Sequence, residues 1–280
     1  MKALPGIVAL CILLVFCGCS TADRGTAAPQ TSSAFDEDVA FLKNFTQVVV
    51  LTDRGQNARV VVLPALQGRV MTTTTGNGES FGWINRKLFE SGDTSVHMNA
   101  FGGEERFWLG PEGGQFSIFF ERGKEFNLEN WKTPKLIDLE PFDLVTQTAG
   151  SATFRKSAEI VNYAGTRFRL MIDRTIEVLE SAEAFAALNV PTDTSLQVVA
   201  FRSVNSIENA GDSAWSKKSG LLSIWLLGMF KPAPRMTVFI PFIAGGESEL
   251  GRVVIDDYFG KVPSDRLKIT DSMIYFKGDG

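Results

Sequence analysis

The run Phe168, Leu170, Ile172, Arg174, Ile176 and Val178, with Arg169, Asp173, Thr175 and Glu177 between its members, is the strongest constraint on the fold. A hydrophobic residue at every second position fits a strand whose two faces see different surroundings, and it fits no helical register. Such a strand belongs to an antiparallel sheet with one covered face, and a second layer must do the covering. Arg174 interrupts the apolar row. At that point the strand either faces solvent or pairs a buried charge.

Shorter segments repeat the theme. Val48 to Leu51, Ala58 to Leu63, Arg69 to Thr75, Phe81 to Asn85 and Gln115 to Phe120 are β-branched or aromatic and are bounded by Gly, Asn, Asp or Pro. Leu196 to Asn205, Leu221 to Leu227, Thr237 to Phe242 and Arg252 to Tyr258 continue the series. Two segments read as helix: one starts at Ser33 as N-cap with Asp36 three residues on, and the other covers Ser181 to Leu188. Many strands with few helices predict a mainly β, antiparallel sandwich or barrel rather than alternating β and α units. No internal repeat of fixed period is visible. Met273 to Phe276 reads as a strand followed by a Gly-Asp-Gly turn, so a returning partner strand is expected, and the domain of residues 34–280 is expected to lack its C-terminal strands.

The first residues read as export machinery. Lys2 supplies a positive start, Ile7 to Phe16 is almost wholly apolar, and Phe16-Cys17-Gly18-Cys19 closes the run. This resembles the lipobox of bacterial lipoproteins, with residues 1–18 as signal peptide and Cys19 as the lipidated first residue. A membrane-spanning anchor is the alternative, but about a dozen apolar residues fall short of the roughly 20 needed to cross a bilayer. Residues 19–33, rich in Thr, Ala, Ser, Gly, Pro and Gln, then form a flexible tether. Ser20 is not the aspartate associated with inner-membrane retention. The expected place is therefore the bacterial outer membrane, facing the periplasm.

All three cysteines, Cys11, Cys17 and Cys19, lie in this leader region, so the body offers no disulfide, cysteine zinc site or cysteine nucleophile. With 28 Lys and Arg against 32 Asp and Glu and no basic run, nucleic acid is excluded as a partner. His97 is the only histidine, which removes a serine triad and histidine-based metal sites. No P-loop or dinucleotide fingerprint is present, and no cofactor is expected.

One window stands apart. His97 to Phe120 combines the lone histidine, Gly102-Gly103, Glu104-Glu105-Arg106, Trp108 and the turn Gly110-Pro111-Glu112-Gly113-Gly114. Aromatic faces beside forked donors and acceptors suit a polar ligand such as a sugar. Glu104, Glu105 and Glu112 read either as hydroxyl-binding or acid–base groups in a cleft, or as surface charge on a β-turn partly neutralised by Arg106. His97 is a ligand group or simply a donor to a backbone carbonyl. Trp83, Phe107 and Trp108 stack on a sugar ring or fill a core.

Arg69 after Leu63-Pro64-Ala65-Leu66-Gln67-Gly68, then Phe81-Gly82-Trp83-Ile84-Asn85-Arg86, then His97, Gly102-Gly103 and Trp108, resembles the N-terminal half of the galactose mutarotase-like (aldose 1-epimerase) superfamily. Phe81 to Asn85, Phe101 to Phe120, Asn162 to Thr166 and Gly220 to Pro234 also resemble a family of bacterial lipoproteins thought to share that fold. The resemblance implies an antiparallel β-supersandwich whose concave face binds carbohydrate. It implies substrate contacts from Asn85, Arg86 and His97, with Arg69, Arg106, Trp108 and Glu112 as neighbours, and makes His97, Glu104 and Glu112 the acid–base candidates. In the family a second histidine and a C-terminal glutamate complete the chemistry. This sequence has no second histidine, the interval from Asn85-Arg86 to His97 is shorter, and Gly102-Gly103 does not directly follow His97. The expected function is carbohydrate binding, with aldose-epimerase-like isomerisation at the anomeric carbon as its enzymatic form. The other class is a structural or protein-interaction lipoprotein of the envelope.

Overall fold

The computed structural model describes residues 32–256 and 260–279. The expected signal peptide, the expected lipidation at Cys19 and the expected tether as far as residue 31 fall outside the described residues. In chain order the elements are α1 (Ala34–Lys43), β1 (Val49–Thr52), β2 (Arg59–Leu63), β3 (Arg69–Thr74), α2 (Arg86–Ser91), β4 (Gly103–Gly110), β5 (Asp143–Gln147), β6 (Ser151–Val161), β7 (Arg167–Leu179), α3 (Ser181–Ala187), β8 (Ala200–Asn209), β9 (Ser223–Met229), β10 (Thr237–Pro241), α4 (Glu247–Leu250), β11 (Leu267–Ile269) and β12 (Met273–Lys277). The protein is mainly β, and its described sheets are antiparallel.

Among the described residues three sheets form, in the orders β1-β2-β3-β4-β9, β5-β6-β7-β8 and β10-β12-β11. The first two make the sandwich. Val49, Leu51, Val60, Val62, Val70 and Phe107 of one sheet share a core with Phe154, Phe168, Leu170, Ile172 and Ile176 of the other. The opposite face of the first sheet is also covered: Val61, Leu63 and Met71 pack with Phe35 and Leu42 of α1. Burial on both faces explains why Arg59-Val60-Val61-Val62-Leu63 is a continuous apolar run, whereas β7 alternates. Each such side chain withdrawn from water contributes about 1.5–3 kcal/mol before chain entropy is counted.

Local chemistry sets the helix starts. The Ser33 hydroxyl oxygen accepts the Asp36 N–H at 3.1 Å, capping α1 as its sequence implies. Glu180 and Glu183 form a reciprocal capping box at α3.

Several expected strands are redrawn. Residues 81–85 make only isolated bridges, Gly82 with Phe230 and Ile84 with Gly102. Residues 115–120 are a folded-back loop, because the Ile118 N–H donates to the Pro111 carbonyl at 3.1 Å and the Ser117 hydroxyl to the Glu112 carbonyl at 2.6 Å. The strand of this region is β4, which carries Glu104, Glu105 and Arg106 in its buried middle, so these residues are not surface charge on a turn. Residues 252–256 are irregular, and 257–258 lie outside the described residues. β12 finds partners before it in the chain, with β10 on one edge and β11 on the other.

Candidate functional site

β4 places three charged side chains in the interior, and each has a different neighbourhood. Glu105 points between the two sheets. There its carboxylate takes two N–H donors from Arg174 of β7 and the Ser203 hydroxyl of β8 at 2.9 Å. Arg174 also donates Nε to the Gly68 carbonyl at 3.0 Å and Nη1 to Asn205 Oδ1. The break in the β7 alternation is therefore a buried two-pronged ion pair with its remaining donors satisfied.

Arg106 turns to the long segment between β4 and β5. Its Nη2 donates to Asp138 Oδ1 at 2.7 Å and to the Ile137 carbonyl at 3.1 Å. Asp138 is in turn fixed by the Asn99 side-chain amide at 2.7 Å and by the Asn99 backbone N–H. The Arg106 guanidinium lies 4.3 Å from the centre of the Trp108 ring. Trp108 packs against Phe119 and donates its indole N–H to Glu112 at 2.6 Å, and Phe119 stacks on Trp131. His97 Nδ1 is 2.7 Å from the Trp131 carbonyl oxygen, which only accepts, so Nδ1 carries the proton. Burial holds the Arg106 guanidinium below its ordinary pKa, and Asp138 opposes that shift.

Arg69 of β3 lies beside Arg106 and has neutral partners: Nη1 donates to the Gly102 carbonyl at 3.1 Å and Nη2 to Gln67 Oε1 at 3.2 Å. Burial first, and then the positive charges of Arg106 and Arg174, push its pKa well down, against a pull upward from Asp138. Gly103 makes room for the side chain. It sits at φ +108°, and a Cβ there would stand 2.9 Å from Arg69 Cδ.

Glu104, Asn85 and Arg86 belong to a second cluster near α1. Glu104 accepts the Thr73 N–H at 2.6 Å and the Thr73 hydroxyl at 3.0 Å, and desolvation raises its pKa from 4.5 to about 7 despite those donors and Lys231. Asp38 of α1 gathers the Ser80 hydroxyl at 2.6 Å, Arg86 at 2.6 Å and Lys231 at 3.0 Å. Asn85 caps α2, and Arg86 also covers the Phe41 ring.

A cleft opens beside Phe119, which stacks on Trp131. It measures about 390 Å³ and is walled by Phe119, Phe120, Thr133 and Asn162, with Glu121, Arg122 and Lys132 at its lip. That volume is in the range of small-molecule sites. Lys132 pairs with Glu121 at 2.9 Å, whereas Arg122 has no side-chain hydrogen bond or ion pair among the described residues. Beside the cleft Phe126 packs edge-on against Phe120 and lies 4.7 Å from Tyr163. Thr133 hydrogen-bonds the His97 carbonyl, so His97 stands directly behind the wall.

Residues 33–280 match the protein-family model described as Family of unknown function (DUF6786). The chain belongs to this family. No curated protein and no solved structure matches it. The match to DUF6786 begins at the cap of α1, where the compact unit Ser33–Gly280 also begins.

In this DUF6786 member the residues singled out from sequence fall in separate places. Arg69, Arg106, Trp108 and Glu112 form one connected group, and His97 reaches it through Trp131 and Phe119. Asn85, Arg86 and Glu104 form the other. Trp108 is 1 % exposed and offers no open face for stacking, while Trp83 is at the surface. Asp38, Asn99, Asp138 and the cleft residues Arg122 and Lys132 were not foreseen. Asp38 had a readable signal, since a carboxylate three residues after Phe35 and four before Leu42 sits on the buried stripe of an amphipathic helix. Among the described residues no group of three or more His, Cys, Asp or Glu side chains is arranged to hold a metal ion.

Proposed function

We propose that the protein is a lipid-anchored envelope protein that binds carbohydrate in the cleft between Phe120, Arg122, Lys132 and Asn162. The observation that carries this reading is the composition of that cleft: aromatic walls, a hydroxyl and an amide inside, and at the lip an Arg122 guanidinium whose forked donors have no side-chain hydrogen bond or ion pair among the described residues. A likeness to the galactose mutarotase-like superfamily, an anchor at Cys19 and an outer-membrane location belong to the same proposal. Binding is favoured over turnover by what the acid–base candidates are doing. His97 Nδ1 is held on a backbone carbonyl, Glu104 is enclosed by Thr73, and Glu112 receives the Trp108 indole.

The test is a glycan array followed by calorimetry on the acyl-free protein. Arg122→Ala removes charge-assisted hydrogen bonds worth about 1.5–3 kcal/mol, so affinity for the bound glycan should fall by tenfold or more. Mutarotation of free aldoses should stay at the uncatalysed rate. Absence of any glycan ligand, or binding indifferent to Arg122→Ala and Lys132→Ala together, sinks the reading.

A protein-interaction role has its own supporting observation. Phe239, Ile240, Ile243 and Leu250 are exposed, Ile243 to 85 %. That reading expects Ile243→Asp to abolish capture of an envelope protein while leaving glycan binding intact; unchanged capture rejects it.

A further inference from the structure

The group around Arg69 has a charge imbalance that its protein contacts leave unresolved. Three guanidiniums, Arg69, Arg106 and Arg174, are buried together with two carboxylates, Glu105 and Asp138. Arg174 pairs with Glu105 and Arg106 with Asp138. Arg69, 1 % exposed, has only a carbonyl and an amide oxygen as hydrogen-bond partners among the described residues, and guanidinium does not shed its proton in proteins. A buried charge without a counter-charge is strongly unfavourable. The donors tell the same story, because Arg69 Nε and Arg106 Nε and Nη1 are enclosed and have no acceptor among the described residues.

We propose that Arg69 and Arg106 hold a small, singly charged anion of halide or formate size against β3 and β4. One negative charge balances the group, and the orphaned N–H groups supply the charge-assisted donors that such an ion needs. The alternative, a neutral water, satisfies donors but leaves the surplus positive charge in place. Enclosure limits the ligand to a small ion and makes it a part of the folded state, so it stabilises by binding the native protein and not the unfolded chain. This inference is independent of carbohydrate binding in the cleft, which uses other residues.

The experiment is thermal unfolding of the full acyl-free chain at constant ionic strength, with chloride, bromide or formate replacing gluconate, which is too large for an enclosed site. The expected result is a saturable rise of several degrees in the unfolding midpoint with each small anion, lost in Arg69→Met. The same chain crystallised in bromide should show an anomalous peak within hydrogen-bond distance of Arg69 Nε or an Arg106 nitrogen. If Arg69→Met does not fold, the bromide peak decides alone: its presence supports the site and its absence overturns it. A midpoint that is the same in all four salts, with no bromide at the arginines, overturns the proposal and assigns the donors to water.

Discussion

Replacing Glu104 with glutamine should change the pH dependence of stability more than stability itself. Glu104 is 5 % exposed, and its pKa in the folded chain is about 7 against an ordinary 4.5. A carboxyl whose folded pKa is raised binds its proton more tightly in the native state than in the unfolded one. Between those two values the native state therefore carries more protons, and stability falls as pH rises. The difference of about 2.5 units corresponds to roughly 3 kcal/mol, fully expressed above pH 7 and absent below about pH 4.5. Glutamine keeps an oxygen for the Thr73 N–H and hydroxyl but brings an amide that meets further donors, at a cost of about 1 kcal/mol. The two stability curves should therefore nearly coincide near pH 5 and diverge as pH rises, with Glu104→Gln ahead by about 2 kcal/mol at pH 8. Urea unfolding at half-unit steps from pH 5 to 8 measures this directly. That range avoids the stability loss in acid from carboxylates held below their usual pKa, such as Asp36 beside Ser33 and Arg59. Parallel curves for the two proteins would refute the reasoning, because they would mean that Glu104 is ionised in the folded state no less easily than in the unfolded chain.

Arg174→Met should destabilise by about 3–5 kcal/mol in denaturant unfolding by leaving Glu105 charged and unpaired between the sheets, and Arg174→Met with Glu105→Leu should recover most of that loss. Gly103→Ala must accept a positive φ and a contact with the Arg69 stem, so its thermal midpoint should drop by an amount equivalent to about 1–3 kcal/mol. Trp108→Ala should lose about 3–5 kcal/mol of stability, measured in urea, while Trp108→Phe, which keeps the contact with Phe119 and gives up the bond to Glu112, should lose less than half of that.

Much of the framework was legible. The start of α1 was legible in its Ser33 cap, α3 was legible only as a helical span, and the β7 alternation located an interior strand of its sheet. The interruption at Arg174 was legible as a choice, and the structure takes the buried branch. β4 was misread for a physical reason: it is covered on both faces, so it shows no alternation, and glycines at both ends imitate a turn. Phe119 and Phe120 misled in the opposite sense, being buried aromatics in a loop that contributes to the core without pairing. The partners of the charged groups were out of reach because they depend on long-range placement. Asp138 meets Arg106 from the far end of the loop segment, and Lys231 meets Asp38 across most of the chain. The cleft is of the same kind, assembled from residues near 120, 133 and 162 that share no local motif.

The strand order β1-β2-β3-β4-β9 also has a consequence for biogenesis. As the chain is made, β4 is finished long before β9, and the whole meander β5 to β8 is synthesised in between. Throughout that interval β4 offers an open edge, the kind of surface on which nascent chains pair with one another. The triplet Glu104-Glu105-Arg106 places charge on that waiting strand. Charge of that kind disfavours pairing between chains, and the partners of Glu105 and Arg106 in the folded state, Arg174 and Asp138, both follow the triplet in the sequence.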